Sequence, residues 1–191
     1  MALFAVKGVS ATSTRKIAQA AGVSEGLLFH HFGSKVGLLL GAAQRSSVLS
    51  EHITANLAAD SQAPVQVQLR MIARGFVEFL RSDRIESRVF RVLMSEATTN
   101  PDLYAVQQSR TTVVIDALST YFRGRVAAGE LRPDLVVEAS AQMLLGSLLW
   151  FFLTHQHLPP TEWSERGVRY ADAVIDQWLR GALNGQQEVK S

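Results

Sequence analysis

The stretch AQAAGVSEGLLFHHFGSK, from Ala18 to Lys35, sets small and turn-forming residues between two short helix-compatible segments, then closes on Phe-His-His-Phe and a lysine. Those residue types at that spacing suit a part that enters a DNA groove. Ala18 is small where two crossing helices must approach closely, and Gly22 can take the positive φ that a tight interhelical turn requires. Val23 and Leu28 supply a miniature core, and Ser24 can cap the second helix. This is the helix-turn-helix layout, whose second helix lies in the major groove. A plain helical hairpin is the alternative.

Other chemistry finds less support. His30 and His31 are adjacent, and on a helix their side chains diverge by about 100°. No acidic neighbour completes a ligand set for them or for His155 and His157, so no metal is expected. No GxSxG, GxxxxGK[ST] or HExxH pattern is present, and Gly33-Ser34-Lys35 lacks the upstream glycines of a phosphate loop. Acidic pairs such as Asp83 with Glu86 fall on polar surface. Neither an enzyme nor a cofactor is expected.

The elements that must position the turn read as helices throughout, so the expected fold class is all-α. Apolar residues at Val65, Leu69, Ile72, Phe76 and Leu80 follow one helical face, as do Val114, Leu118, Tyr121, Phe122 and Val126, and again Val168, Ala171, Ile175, Trp178 and Leu183. The predicted helices are 2–6, 14–21, 25–31, 35–59, 64–81, 85–98, 101–128, 134–155 and 162–183. Asn100-Pro101 offers a cap with proline in the first turn. The short helices come first, giving expected domains at 1–45 for the helix-turn-helix and 46–185 for a helical body, with a disordered tail at 186–191.

Composition agrees with a globular chain: 191 residues, 47% hydrophobic, no cysteine, net charge +2. The absence of cysteine excludes a disulfide scaffold. The first 50 residues hold Lys7, Arg15, Lys16, Lys35 and Arg45 against Glu25 alone, a basic front suited to a polyanion. The N-terminus lacks the features of a signal peptide, and the apolar run from Met143 to Leu153 is too short to span a membrane. A cytoplasmic protein without a membrane partner is expected.

The string LFAVKGVSATSTRKIAQAAGVSEGLLFHHFGSKVGLLLGAA resembles the N-terminal domain of the TetR family of transcriptional regulators. The matching features are Phe4, Gly8, Thr14, Ile17, Ala18, Ala21-Gly22-Val23-Ser24, Phe29, His31-Phe32 and Lys35. The chain begins inside what would be the family's first helix. The resemblance implies that Thr14 and Arg15 face DNA, and that Ser24, Glu25, Gly26 and Leu27 lie on the leading turn of the recognition helix. It places Phe29 and His30 at the groove wall and Lys35 on a phosphate, where a helix N-terminus also favours an anion. His31 is expected to pack inside. Three features depart from the family. Phe29 stands where tyrosine is usual, Glu25 brings a carboxylate near the backbone unless it accepts from a cytosine amino group, and Leu27 offers only apolar contact. Specificity then rests more on DNA shape.

The body carries MLLGSLLWFFL, apolar around the whole helical circumference, which must be covered on every side. The resemblance implies a homodimer with Leu145, Leu149, Phe152, Ala171, Val174 and Trp178 at its interface, and hence a pseudo-palindromic double-stranded DNA operator. Met71, Phe79, Phe90, Met94, Tyr104, Met143 and Trp150 are candidates for an adaptable apolar pocket holding a small hydrophobic effector. The function expected is a ligand-released repressor. A ligand-independent helix-turn-helix nucleic-acid binder, or an activator, is the alternative.

Overall fold

The structure, a computed structural model, describes residues 3–4, 12–45, 53–55, 57 and 63–183. Its helices are α1 (Thr14–Ala21), α2 (Glu25–Phe32), α3 (Lys35–Arg45), α4 (Val65–Arg81), α5 (Ile85–Glu96), α6 (Pro101–Ala127), α7 (Val137–His155) and α8 (Pro160–Ala182). Among the described residues there is no strand, only an isolated antiparallel bridge between Leu131 and Leu183. The fold is all-α. The middle of the predicted 35–59 helix and the 186–191 tail lie outside the described residues.

Helix starts follow local chemistry. Ser13 and Ser24 accept the Lys16 and Leu27 amides at 3.3 and 3.1 Å, and Asn100 Oδ1 accepts those of Asp102 and Leu103, each at 3.1 Å, just ahead of Pro101. α7 starts at Val137, three residues later than expected, because Arg132 to Leu135 close a turn through a 3.3 Å backbone bond. α8 starts two residues early, at Pro160, where a proline costs no helical hydrogen bond.

The chain divides into two compact units. One comprises residues 1–49 and 82–111, the other 50–81 and 112–191, so α6 begins in the first and ends in the second. The first unit therefore includes α5 and the start of α6, which the contiguous division expected from sequence assigns to the body. Its core joins Phe4, Ile17, Ala18, Leu28, Leu38 and Leu39 to Val89, Leu93, Ala97 and Leu103. Three short N-terminal helices enclose little apolar area, and the added helices supply the missing wall.

In the second unit α4 packs along α8. The Trp163 indole is buried and donates to the Val77 carbonyl at 3.2 Å. Arg74 grips Asp172 through two bonds of 2.7 and 2.6 Å, and Arg70 pairs with Asp176 one turn along α8. α7 buries Ala141, Leu144, Leu148, Phe151 and Phe152, yet leaves Met143 and Trp150 64% and 65% exposed. Taken whole, this 19-residue helix is long and apolar enough to cross a membrane by composition, unlike the shorter run legible in the sequence.

Candidate nucleic-acid interface

α1 and α2 are eight residues each, joined by a turn that depends on Gly22. That glycine takes φ +67° and donates to the carbonyls of Ala18 and Gln19, while Val23 donates to Ala18 at 3.0 Å. A side chain at Gly22 would strain the left-handed conformation. Ile17 and Ala18 from α1 meet Leu28 from α2, and Leu28 is the one α2 residue fully buried. The rest of α2 therefore stands outward: Gly26 and His30 are exposed, as are Leu27 and Phe29 at 43% and 47%.

α3 follows after Gly33. Ser34 caps it by accepting the Gly37 amide at 2.9 Å, and Lys35 sits half-buried in its first turn. A Cβ on Gly37 would fall 1.9 Å from the Phe32 carbonyl oxygen, so only glycine lets the end of α2 lie against the start of α3. That contact sets the α3 N-terminus, where Lys35 lies, against the end of α2, and a helix N-terminus favours an anion.

Each expected DNA-binding residue thus falls on one small module, and three side chains in and around it differ from expectation. One oxygen of Glu25 is engaged: its Oε1 accepts the Thr14 hydroxyl at 2.5 Å, a tie between the two helices that the sequence did not disclose. His31 is exposed, and so is Phe32 at 41%, although the Phe32 ring lies over Gly41, where an added Cβ would fall 2.9 Å from it. Val23 is also 37% exposed and adds less to the core than its type suggested. Among the described residues no cluster of metal-ligating side chains occurs.

The body's candidates scatter. Phe90 is buried, Phe79 and Met94 are half-buried, and Met71, Tyr104, Met143 and Trp150 are exposed, so these seven do not converge on one cavity. A small cavity of about 30 Å³ in the second unit is lined instead by Ile53, Leu69, Ile72, Phe76, Val114, Leu148 and neighbours, all hydrocarbon. Leu145, expected at a dimer face, lines it too. Phe152 and Ala171 are buried inside the protomer, and Trp178 stacks on Phe122 with ring centroids 4.9 Å apart. Leu149 and Val174 are half-buried. Periodicity marked these faces as apolar without telling which neighbour each one meets.

The sequence pattern of the bacterial regulatory proteins of the tetR family matches residues 1–42, and that of the tetracyclin repressor-like C-terminal domain matches residues 63–171. The second match alone spans more than half of the chain. The chain belongs to the TetR family. Among similar proteins, the HTH-type transcriptional regulator BetI of Yersinia pestis (strain Pestoides F) is 30% identical over 179 residues, covering 93% of this chain and 85% of that one. A TetR-family structure from Mesorhizobium loti superposes with a TM-score of 0.76 at 22% identity, covering 95% and 92% of the two chains. SmeT, the repressor of a Stenotrophomonas maltophilia multidrug efflux pump, gives 0.70 at 19% identity, covering 95% and 85%. At such identities the solved structures speak for the fold alone. In this TetR-family transcriptional regulator the N-terminal match covers α1 and α2, and the C-terminal-domain match runs from the start of α4 into α8.

Proposed function

We propose that this regulator is a homodimeric repressor that holds a pseudo-palindromic operator through α2 and leaves it when a small hydrophobic effector enters the second unit. The observation that carries the DNA reading is the outward face of α2: one residue, Leu28, anchors the helix, and Gly26, Leu27, Phe29 and His30 are presented. Arg15, Ser24 and Lys35 flank that face and supply backbone contacts, which position the protein while base-edge contacts specify sequence. Leu27 meets a thymine methyl.

Dimerisation is supported by α7. Met143, Trp150 and Leu153 follow each other at helical spacing and are each more than two-fifths exposed, an apolar stripe that a single protomer leaves uncovered. A twofold copy covers it and sets two recognition helices about 34 Å apart. Effector binding is supported by the hydrocarbon lining of the 30 Å³ cavity. That volume is about one water molecule, so an effector has to part the helices to enter. Val114 and Leu118 of the lining belong to α6, which also contributes to the first unit, so the opened bundle strains a helix shared with the DNA-binding part. Release then follows from unequal effector affinity for the two states. A neighbour of this fold, SmeT, has been captured in complex with triclosan (TM-score 0.73).

The chain acts in the cytoplasm, as DNA binding requires, and works without catalysis. Titrating a panel of apolar compounds against protein bound to a fluorescent duplex tests the effector reading. A compound that raises the melting temperature of the free protein and lowers duplex affinity supports it; a compound that binds the second unit and leaves duplex affinity unchanged overturns it.

A further inference from the structure

We propose that the hydrogen bond from Thr14 to Glu25 is a positioning device that fixes the angle of the recognition helix against α1, so that Glu25 sets sequence discrimination without touching a base. The role rests on the reading of α2 as the recognition helix. The bond joins the first residue of α1 to the first residue of α2 across the Gly22 turn. At 2.5 Å from Thr14 Oγ1 to Glu25 Oε1 it lies in the range of a hydroxyl donating to a carboxylate, the stronger class of hydrogen bond. Both side chains are half-buried, which limits competition from water.

Two eight-residue helices are too short to be stable alone, and each enters the shared core of the first unit by few side chains, Ile17 and Ala18 from α1 and Leu28 from α2. Leu28 is the one buried residue of α2 and lies a turn beyond its start, so the leading turn itself carries no core side chain. Glu25 pins that leading turn. Its charge also lies in the first turn of α2, next to the Ser24 cap, where a negative charge favours the helix start. The same charge faces phosphate when α2 enters a groove. Glu25 therefore costs general DNA affinity and gains precision in where Leu27 and His30 point. The Thr14 hydroxyl is spent on this bond and is withdrawn from the phosphate contacts.

The test is a double-mutant cycle in the full-length chain. The probes are a duplex selected by the wild-type protein from a random pool and a scrambled duplex of equal length, at one salt concentration. Thr14→Val and Glu25→Ala should each lower the ratio of selected to scrambled affinity by about tenfold, the effect of one charge-assisted hydrogen bond. The double variant should lose no more than either single one. Thr14→Ser and Glu25→Gln keep donor and acceptor and should hold the ratio within about threefold, while both Glu25 variants bind the scrambled duplex more tightly. Thermal melts of the free protein, analysed as the same cycle, should show coupling between the two positions.

Several outcomes overturn the proposal. Additive losses would mean that the residues act separately. Equal loss on both duplexes in Thr14→Val would make Thr14 a phosphate ligand. A changed preference at one base pair in Glu25→Ala, absent from Thr14→Val, would make Glu25 a base reader. A wild type that selects no duplex would overturn α2 as a sequence reader and this role with it, with the thermal cycle still reporting whether the bond exists.

Discussion

Arg125 Nη1 donates to Glu130 Oε1 at 2.6 Å inside the second unit, and Arg125 Nη2 donates to Gln68 Oε1 at 3.1 Å. The guanidinium also lies over the Tyr121 ring, 4.9 Å from its centroid. Burial works against the charge on Arg125, but the Glu130 carboxylate and Tyr121 outweigh it and hold the guanidinium above its ordinary pKa, while burial pushes the Tyr121 phenol up. Arg125→Met leaves Glu130 and Gln68 without their cation, and removing one partner of a buried pair costs about 3–5 kcal/mol. The expected readout is a large fall in urea midpoint. The triple change Arg125→Met, Glu130→Leu, Gln68→Leu should recover much of that loss, and no recovery would show that packing around Arg125, not charge pairing, sustains the site.

Lys35→Ala should weaken binding to every duplex alike and flatten the dependence of log K on log salt by about one unit per protomer. Its place in the first turn of α3, against the end of α2, suits a phosphate. An unchanged slope places Lys35 away from the backbone.

On the proposed dimerisation through α7, Trp150→Glu should sediment as a monomer and bind operator far more weakly than the wild type, with the helical signal retained. The indole is 65% exposed in the protomer, so a charge there costs the isolated chain little. At the centre of an apolar interface it is buried and unpaired, at a cost of several kcal/mol per protomer. A variant that keeps the wild-type mass removes α7 from the interface.

Acid should loosen the second unit through Asp172. The hydrogen bond from Arg74 is the main cause that holds this carboxyl below its ordinary pKa, against a smaller opposing effect of burial. A carboxylate depressed in the folded state contributes stability above its unfolded pKa of about 4, and loses that contribution as pH falls through the folded value. The wild type should therefore lose more stability between pH 5 and pH 3 than Asp172→Asn does, measured by chemical unfolding at each pH. Equal losses would assign the acid limb to other carboxylates.

What the sequence disclosed was local chemistry. Gly22, Ser24 and Asn100 act as a turn, a cap and a cap because their conformational range and side-chain oxygens decide the matter within three residues. The face of α4 from Val65 to Leu80 is buried as its spacing implied, apart from Ile72, which is half-buried. What stayed hidden depends on partners distant in the chain. Glu25 looked like a groove residue because its type and position cannot reveal that Thr14, eleven residues earlier, takes up its oxygen. Met143 and Trp150 looked like pocket residues because apolar periodicity marks a face without saying whether a cavity, a core or another protomer covers it. The inclusion of Ser82–Thr111 in the first unit is of the same kind, a property of packing across the intervening Ser50–Arg81.

The most direct test of sequence-specific, twofold DNA recognition is to incubate the full-length protein with sheared DNA from its source organism and sequence what it retains. A sharp, inverted-repeat site is expected, with half-sites about one helical turn, or a whole number of turns, apart. Diffuse retention that vanishes as salt rises would contradict it, leaving a non-specific binder of nucleic acid.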